Sequence, residues 1–132
     1  MKFENYGKCF VCGENNQGGL RLSFEIDKEK QTIKTTFIGD PVFQGWDGIV
    51  HGGIISTLLD EAMAKLSCEL GYNTVTATLE IRFKNPAPIF EPLHVYGEIS
   101  EVNNRLVKAK ARVVKEDGTV LAEGISTLIR LS

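Results

Sequence analysis

No apolar run in this chain approaches the roughly 20 residues that a helix needs to cross a bilayer, so no membrane span is expected. The opening Met1-Lys2-Phe3-Glu4-Asn5 lacks the apolar middle of a secretory signal, which argues against export. An excess of one charge is also missing. Fifteen Lys+Arg stand against 17 Asp+Glu for a formal net charge of -2, which leaves no basic stripe for nucleic acid. Cysteine is scarce and odd in number, three in 132 residues, and a chain this long needs no disulfides. The thiols are therefore expected to be reduced and the protein cytoplasmic. There is no dinucleotide fingerprint, and the glycines Gly18-Gly19 beside Asn15-Asn16 make no phosphate-binding loop. Ser56 and Ser67 lack the G-x-S-x-G elbow of a serine hydrolase.

What is present suits one domain over 1–132, with 42% hydrophobic residues and no repeat or linker. Residues 1–19, rich in Gly and Asn near their end, read as an irregular arm. Leu20, Leu22, Phe24 and Ile26 alternate with polar residues, and Thr32–Phe37 repeats the pattern after a charged turn, which predicts a hairpin. A glycine-rich loop over Asp40–Gly53 leads into the one helix of normal length. Its apolar stripe is Ile54, Ile55, Leu58, Leu59, Ala62, Met63 and Leu66, and Gly71 is the expected stop. Four more strands are expected at Val75–Phe83, Leu93–Val102, Arg105–Lys115 and Thr119–Leu131. The break Asn85-Pro86-Ala87-Pro88 and the turns Asn103-Asn104 and Asp117-Gly118 separate them. The order is β-β-α-β-β-β-β, an α+β chain in which one helix lies on a mostly antiparallel sheet. One helix cannot cover such a sheet, so oligomerisation is expected.

The chemistry concentrates around Phe43-Gln44-Gly45-Trp46-Asp47-Gly48-Ile49-Val50-His51-Gly52-Gly53 and the helix that follows. Two glycines at a helix start either allow a tight turn or leave N–H donors open to an anion or a developing oxyanion. His51 reads as a loop residue whose ring satisfies a nearby backbone carbonyl, or as part of that site. Asp60 and Glu61 both fall off the apolar stripe, and periodicity does not say whether either does more than meet solvent. Asp60 follows Gly53 by seven residues, about 10 Å along a helix axis. One helix therefore cannot bring its own first N–H groups and Asp60 to the same carbonyl. Two antiparallel copies could. Cys9-Phe10-Val11-Cys12 is a C-x-x-C pair that reads as ordinary thiols, a metal site or a redox pair. Cys68, His51 or His94 could add ligands if the fold brought them near, and two chains could pool their pairs.

The run His51-Gly52-Gly53-Ile54-Ile55-Ser56-Thr57-Leu58-Leu59-Asp60-Glu61-Ala62 resembles the start of the central helix in hotdog-fold acyl-CoA thioesterases, most closely the phenylacetate-degradation (PaaI-like) branch. Phe83-Lys84-Asn85-Pro86-Ala87 and Gly118-Thr119-Val120-Leu121-Ala122-Glu123-Gly124 extend the likeness, and the opening Cys9–Gly13 is familiar from a subset of such sequences. The resemblance implies a sheet wrapped around the helix, joined edge to edge in a homodimer or a dimer of dimers. It implies hydrolysis of an acyl-CoA substrate without metal or organic cofactor, at sites shared between subunits. In that scheme Asp60 is the catalytic acid, acting as base or nucleophile. Gly52, with Gly53 adjacent, supplies the oxyanion N–H, and Gln44 positions water or substrate. His51 and Glu61 would lie at the substrate, with a hydroxyl from Thr76 or Thr78. Arg82 and Lys84 could offer charge to the CoA phosphates. A non-catalytic acyl-CoA binding module, and a hydratase or dehydratase acting on the acyl chain, are the other functions this scaffold allows.

Overall fold

The computed structural model describes residues 6–131. Its strands are β1 (Glu25–Asp27), β2 (Thr32–Ile38), β3 (Thr74–Phe83), β4 (Pro92–Val102), β5 (Leu106–Lys115) and β6 (Val120–Arg130), with helix α1 (Gly52–Glu69) between β2 and β3. Six strands form one antiparallel sheet in the order β1-β2-β4-β5-β6-β3. This is the β-β-α-β-β-β-β order expected from the sequence. α1 leaves near one sheet edge and delivers the chain to the other, so it crosses the whole face and packs against β2 through β6.

Burial follows the two periodicities. Leu58, Leu59, Ala62, Met63 and Leu66 of α1 have no exposed surface, and they meet Leu93 and Val95 of β4, Val107 and Val113 of β5, and Leu128 of β6. Two strand glycines make room for the core side chains packed over the sheet. A Cβ at Gly97 would meet Ile33 Cγ2 at 2.9 Å, and one at Gly124 would meet Ile81 Cδ1 at 3.0 Å and Met63 Cε at 3.3 Å. The helix ends where Gly71 takes φ +95°. There Gly71 N–H donates to Cys68 O and Tyr72 N–H to Ser67 O, both at 3.0 Å, a Schellman closure of the last turn.

The structure departs from the sequence reading in two places. The first strand is shorter than Leu20–Ile26, because the Leu20 and Leu22 N–H groups donate to Phe10 and Val11 carbonyls at 2.8 Å. The backbone bonds of residues 20–22 thus go to the arm, and only Glu25–Asp27 pairs with β2. The second departure is a bulge in β3. Thr76 pairs with Leu128 and Thr78 with Thr127, so Ala77 is an extra residue. Leu79, Ile81 and Phe83 share the helix side, and beyond the bulge that side passes to Thr76 and Thr74 in place of Ala77 and Val75.

Candidate active site

The loop before α1 is built by its own backbone. A single 3₁₀ turn, Pro41–Phe43, is followed by Gln44, which bridges to Val50, while Gly45 N–H donates to Ile49 O at 2.9 Å. Gln44 Oε1 accepts from Gly48 N–H at 3.0 Å, and Gly48 holds φ +78°, a conformation glycine tolerates best. The Gln44 side chain therefore braces the loop. His51 is the helix N-cap: its Nδ1 accepts from Gly53 N–H at 2.8 Å, so that nitrogen is unprotonated in this arrangement. The ring takes up an N–H, and not a carbonyl as the loop reading expected. Gly53's donor is thereby occupied. Gly52 N–H has no partner among the described residues. A Cβ at Gly52 would touch Phe83 Cζ at 3.4 Å, ordinary contact, so packing alone does not demand glycine there.

This helix start opens into a cleft of about 1000 Å³ lined by Gln44, Trp46, His51, Gly52, Phe83 and Pro86 among others. Its rings lie open, with Trp46 84% and Phe83 56% exposed. Positive charge borders it at Lys84, which is ion-paired with Glu123. The Lys84 ammonium holds the Glu123 carboxyl below its ordinary value, first as hydrogen-bond donor and then by charge.

Asp60 lies on the same helix eight residues beyond Gly52, about 12 Å along the axis. Thr76 Oγ1 donates to Asp60 Oδ1 at 3.0 Å. The bulge at Ala77 makes this possible, since unbroken alternation from Ile81 would carry Thr76 to the outer face. It also separates the two candidate threonines: Thr76 reaches Asp60, while Thr78 pairs with Thr127 on the other side of the strand. A bulge leaves no mark in a run of β-formers, which is why the pattern could not choose between them.

Glu61 turns elsewhere. Cys9 Sγ donates to its two carboxylate oxygens at 3.6 and 3.4 Å. Lys65 Nζ lies 3.6 Å from Cys12 Sγ and 3.8 Å from Glu69 Oε1. Burial first, and then the Glu61 carboxylate, push the Cys12 thiol up to about 12. Burial opposes the Lys65 charge, but Cys12, Glu69 and Glu61 hold its ammonium above the ordinary value. Among the residues considered as further ligands, Cys68 is exposed. His94 bonds Thr36 Oγ1 at 3.0 Å and Glu116 Oε1 at 2.5 Å on the far face of the sheet. Neither they nor His51 join the cysteine pair; Glu61 does, and no local pattern signals it.

The family model described as the thioesterase superfamily matches residues 47–122. The acyl-coenzyme A thioesterase THEM4 of Bos taurus is 31% identical over 120 residues, 89% of this chain and 48% of that protein. The chain thus spans about half the length of the curated relatives it matches. A solved structure described as a thioesterase superfamily protein superposes with a TM-score of 0.86 at 26% identity, over 92% of this chain and 60% of that one. A Streptococcus mutans UA159 protein solved bound to acetyl CoA superposes with a TM-score of 0.78 at 18% identity, covering 84% and 89%, and shares the fold.

Proposed function

Because the chain belongs to the thioesterase superfamily, we propose that it hydrolyses an acyl-CoA thioester to free acid and CoA, at sites completed between two copies of itself. The observation that carries this reading is the split arrangement on α1. An unoccupied N–H at Gly52 faces a cleft, and a carboxylate fixed by Thr76 stands about 12 Å along the same axis. Neither half can serve the other within one helix. An antiparallel second copy would set the Gly52 donor of one chain against the Asp60 of its partner.

In the reaction the thioester carbonyl accepts from Gly52 N–H, and the helix N-terminus stabilises the oxygen as it gains charge. Such a donor contributes about 3 kcal/mol in other acyl-transfer enzymes. Asp60 takes a proton from the attacking water, or attacks the carbonyl itself. Thr76 is a positioning residue that fixes one carboxylate oxygen and leaves the other for the substrate side. His51 holds the first turn by occupying Gly53 N–H, and Gln44 keeps the preceding loop in shape. Phe83 and Trp46 offer apolar wall to the acyl chain or the pantetheine arm. The exposed edge of β3 is the surface through which a homodimer would form, with pairing of dimers built upon it. The free cysteines 9, 12 and 68 suit a reducing compartment such as the cytoplasm.

The test is release of free thiol from short, medium, long and arylacetyl CoA esters, run beside Asp60→Asn. Asp60→Asn should keep the fold and lower kcat/KM by at least about 100-fold, the usual weight of a general base. Full activity in that variant would overturn the assignment of the acid. Tight binding of acyl-CoA with no turnover by the wild-type chain would instead make it a binding module.

A further inference from the structure

The arm over residues 6–19 is ordered almost without a core. Val11 is its one buried apolar side chain, while Tyr6 and Phe10 are exposed. What holds it is polar. Asn15 N–H donates to Gly7 O at 2.8 Å, and the side chains of Asn15 and Asn16 donate to Tyr6 O and Lys8 O at 3.1 and 3.0 Å. Gly13 N–H closes the C-x-x-C turn onto Cys9 O at 2.9 Å. A Cβ on Gly13 would collide with the backbone of Cys9 and Gly7, so the turn admits only glycine there. Segments too small to bury a core are commonly fastened by a disulfide or a metal ion. This one brings two sulfurs to a single point on α1.

That point is Glu61. The ligand atoms of Cys9, Cys12 and Glu61 all lie within 4.8 Å of one another, although the carboxylate comes from a helix 49 residues beyond Cys12 in the sequence. Cys9 Sγ is 3.4 and 3.6 Å from the two Glu61 oxygens. A thiolate sulfur and a carboxylate oxygen on one tetrahedral zinc ion stand roughly 3.6 Å apart, given bonds of about 2.3 and 2.1 Å. We propose that Cys9, Cys12 and Glu61 form a three-ligand site for a thiophilic divalent cation of the zinc class, which pins the N-terminal arm to the central helix. Two thiolates and one carboxylate suit zinc better than magnesium or calcium, which take oxygen ligands. The charge also balances. Three negative ligands and the Lys65 ammonium beside Cys12 sum with the dication to zero, so filling the site leaves no net charge half-buried. A fourth position is left for water. The site is structural and stands apart from the thioester reading, since Glu61 turns away from the Asp60–Thr76 contact.

The experiment is a cobalt titration of the whole chain after chelator treatment, paired with zinc analysis of the protein as purified. Wild type should retain about one equivalent of zinc per chain and take up cobalt with a thiolate charge-transfer band and tetrahedral visible absorption. Cys9→Ser and Cys12→Ser should each remove about half of the charge-transfer intensity, since each thiolate carries its own transition. Glu61→Gln should keep the two-thiolate band and weaken cobalt binding at least about tenfold. Cys68→Ser should change nothing. If a cysteine variant fails to fold by circular dichroism, wild type and Glu61→Gln still decide the matter. The proposal is overturned by a wild-type chain without the charge-transfer band, or by Glu61→Gln binding as tightly as wild type. One metal per two chains with a four-sulfur spectrum would overturn it as well.

Discussion

Strands β3 and β5 have the same length and a similar alternation, yet their burial is opposite. In β5, Val107, Ala109, Ala111 and Val113 are buried at every second position. In β3 no residue is buried, and Val75, Leu79 and Phe83 are 36%, 36% and 56% exposed. Both strands meet the helix on one face, but β5 has neighbours on both edges, whereas β3 has β6 on one edge and nothing described on the other. Alternation therefore reports which face of a strand is apolar, but not whether anything covers it. The uncovered apolar strand is also the one that holds Thr76 against Asp60. Surface left open within one chain and the proposed apparatus for chemistry coincide on β3.

The sharpest way to break the comparison is to place one charge on each strand. Val113→Asp buries an unpaired carboxylate, and the loss should reach about 4 kcal/mol or more, enough to unfold the chain in a denaturant titration. Leu79→Asp should leave the single chain folded by circular dichroism, but halve the mass seen by light scattering and lower thioester turnover with it. If both substitutions merely unfold the protein, the two strands do not differ as described. Within β3 the bulge supplies a finer contrast. Thr76→Val removes a hydrogen bond to a carboxylate, commonly worth about 1.5–3 kcal/mol, and should lower kcat about tenfold or more. Thr78→Val, on the opposite side, should stay near wild type. The smallest effect belongs to the outer face of β5, where Lys110 pairs with Glu98 at 3.4 Å between half-exposed side chains. Lys110→Ala should cost less than about 1 kcal/mol in thermal unfolding, with turnover unchanged.

Much of this was legible in the sequence. The helix, its glycine stop and the later strands follow from periodicity and turn chemistry. Helix spacing alone showed that Gly52 and Asp60 cannot meet within one chain. Other features depend on long-range hydrogen bonding that leaves no local pattern. The Leu20 and Leu22 N–H groups turn to the arm because Phe10 and Val11 present carbonyls there, and nothing in an alternating run forecasts that. Thr76 and Thr78 look alike until the bulge at Ala77 sends them to opposite sides. His51 reads first as a loop residue and only then as a site residue, and its bond to Gly53 N–H makes it a helix cap. Glu61 looks like a solvated neighbour of Asp60, since its contact with Cys9 joins segments 52 residues apart.

The open edge of β3 has a further consequence, one of mass action. In the proposed homodimer a second copy covers this apolar edge, and association would tie folding free energy to protein concentration by withdrawing folded chains from the unfolding equilibrium. Dilution would then act on this molecule as denaturant acts on others. Activity per chain should fall faster than concentration once the solution is thinner than the dissociation constant, and the melting temperature should drift downward with it. Abundance in the cell would thereby control how many of the proposed sites each chain supplies.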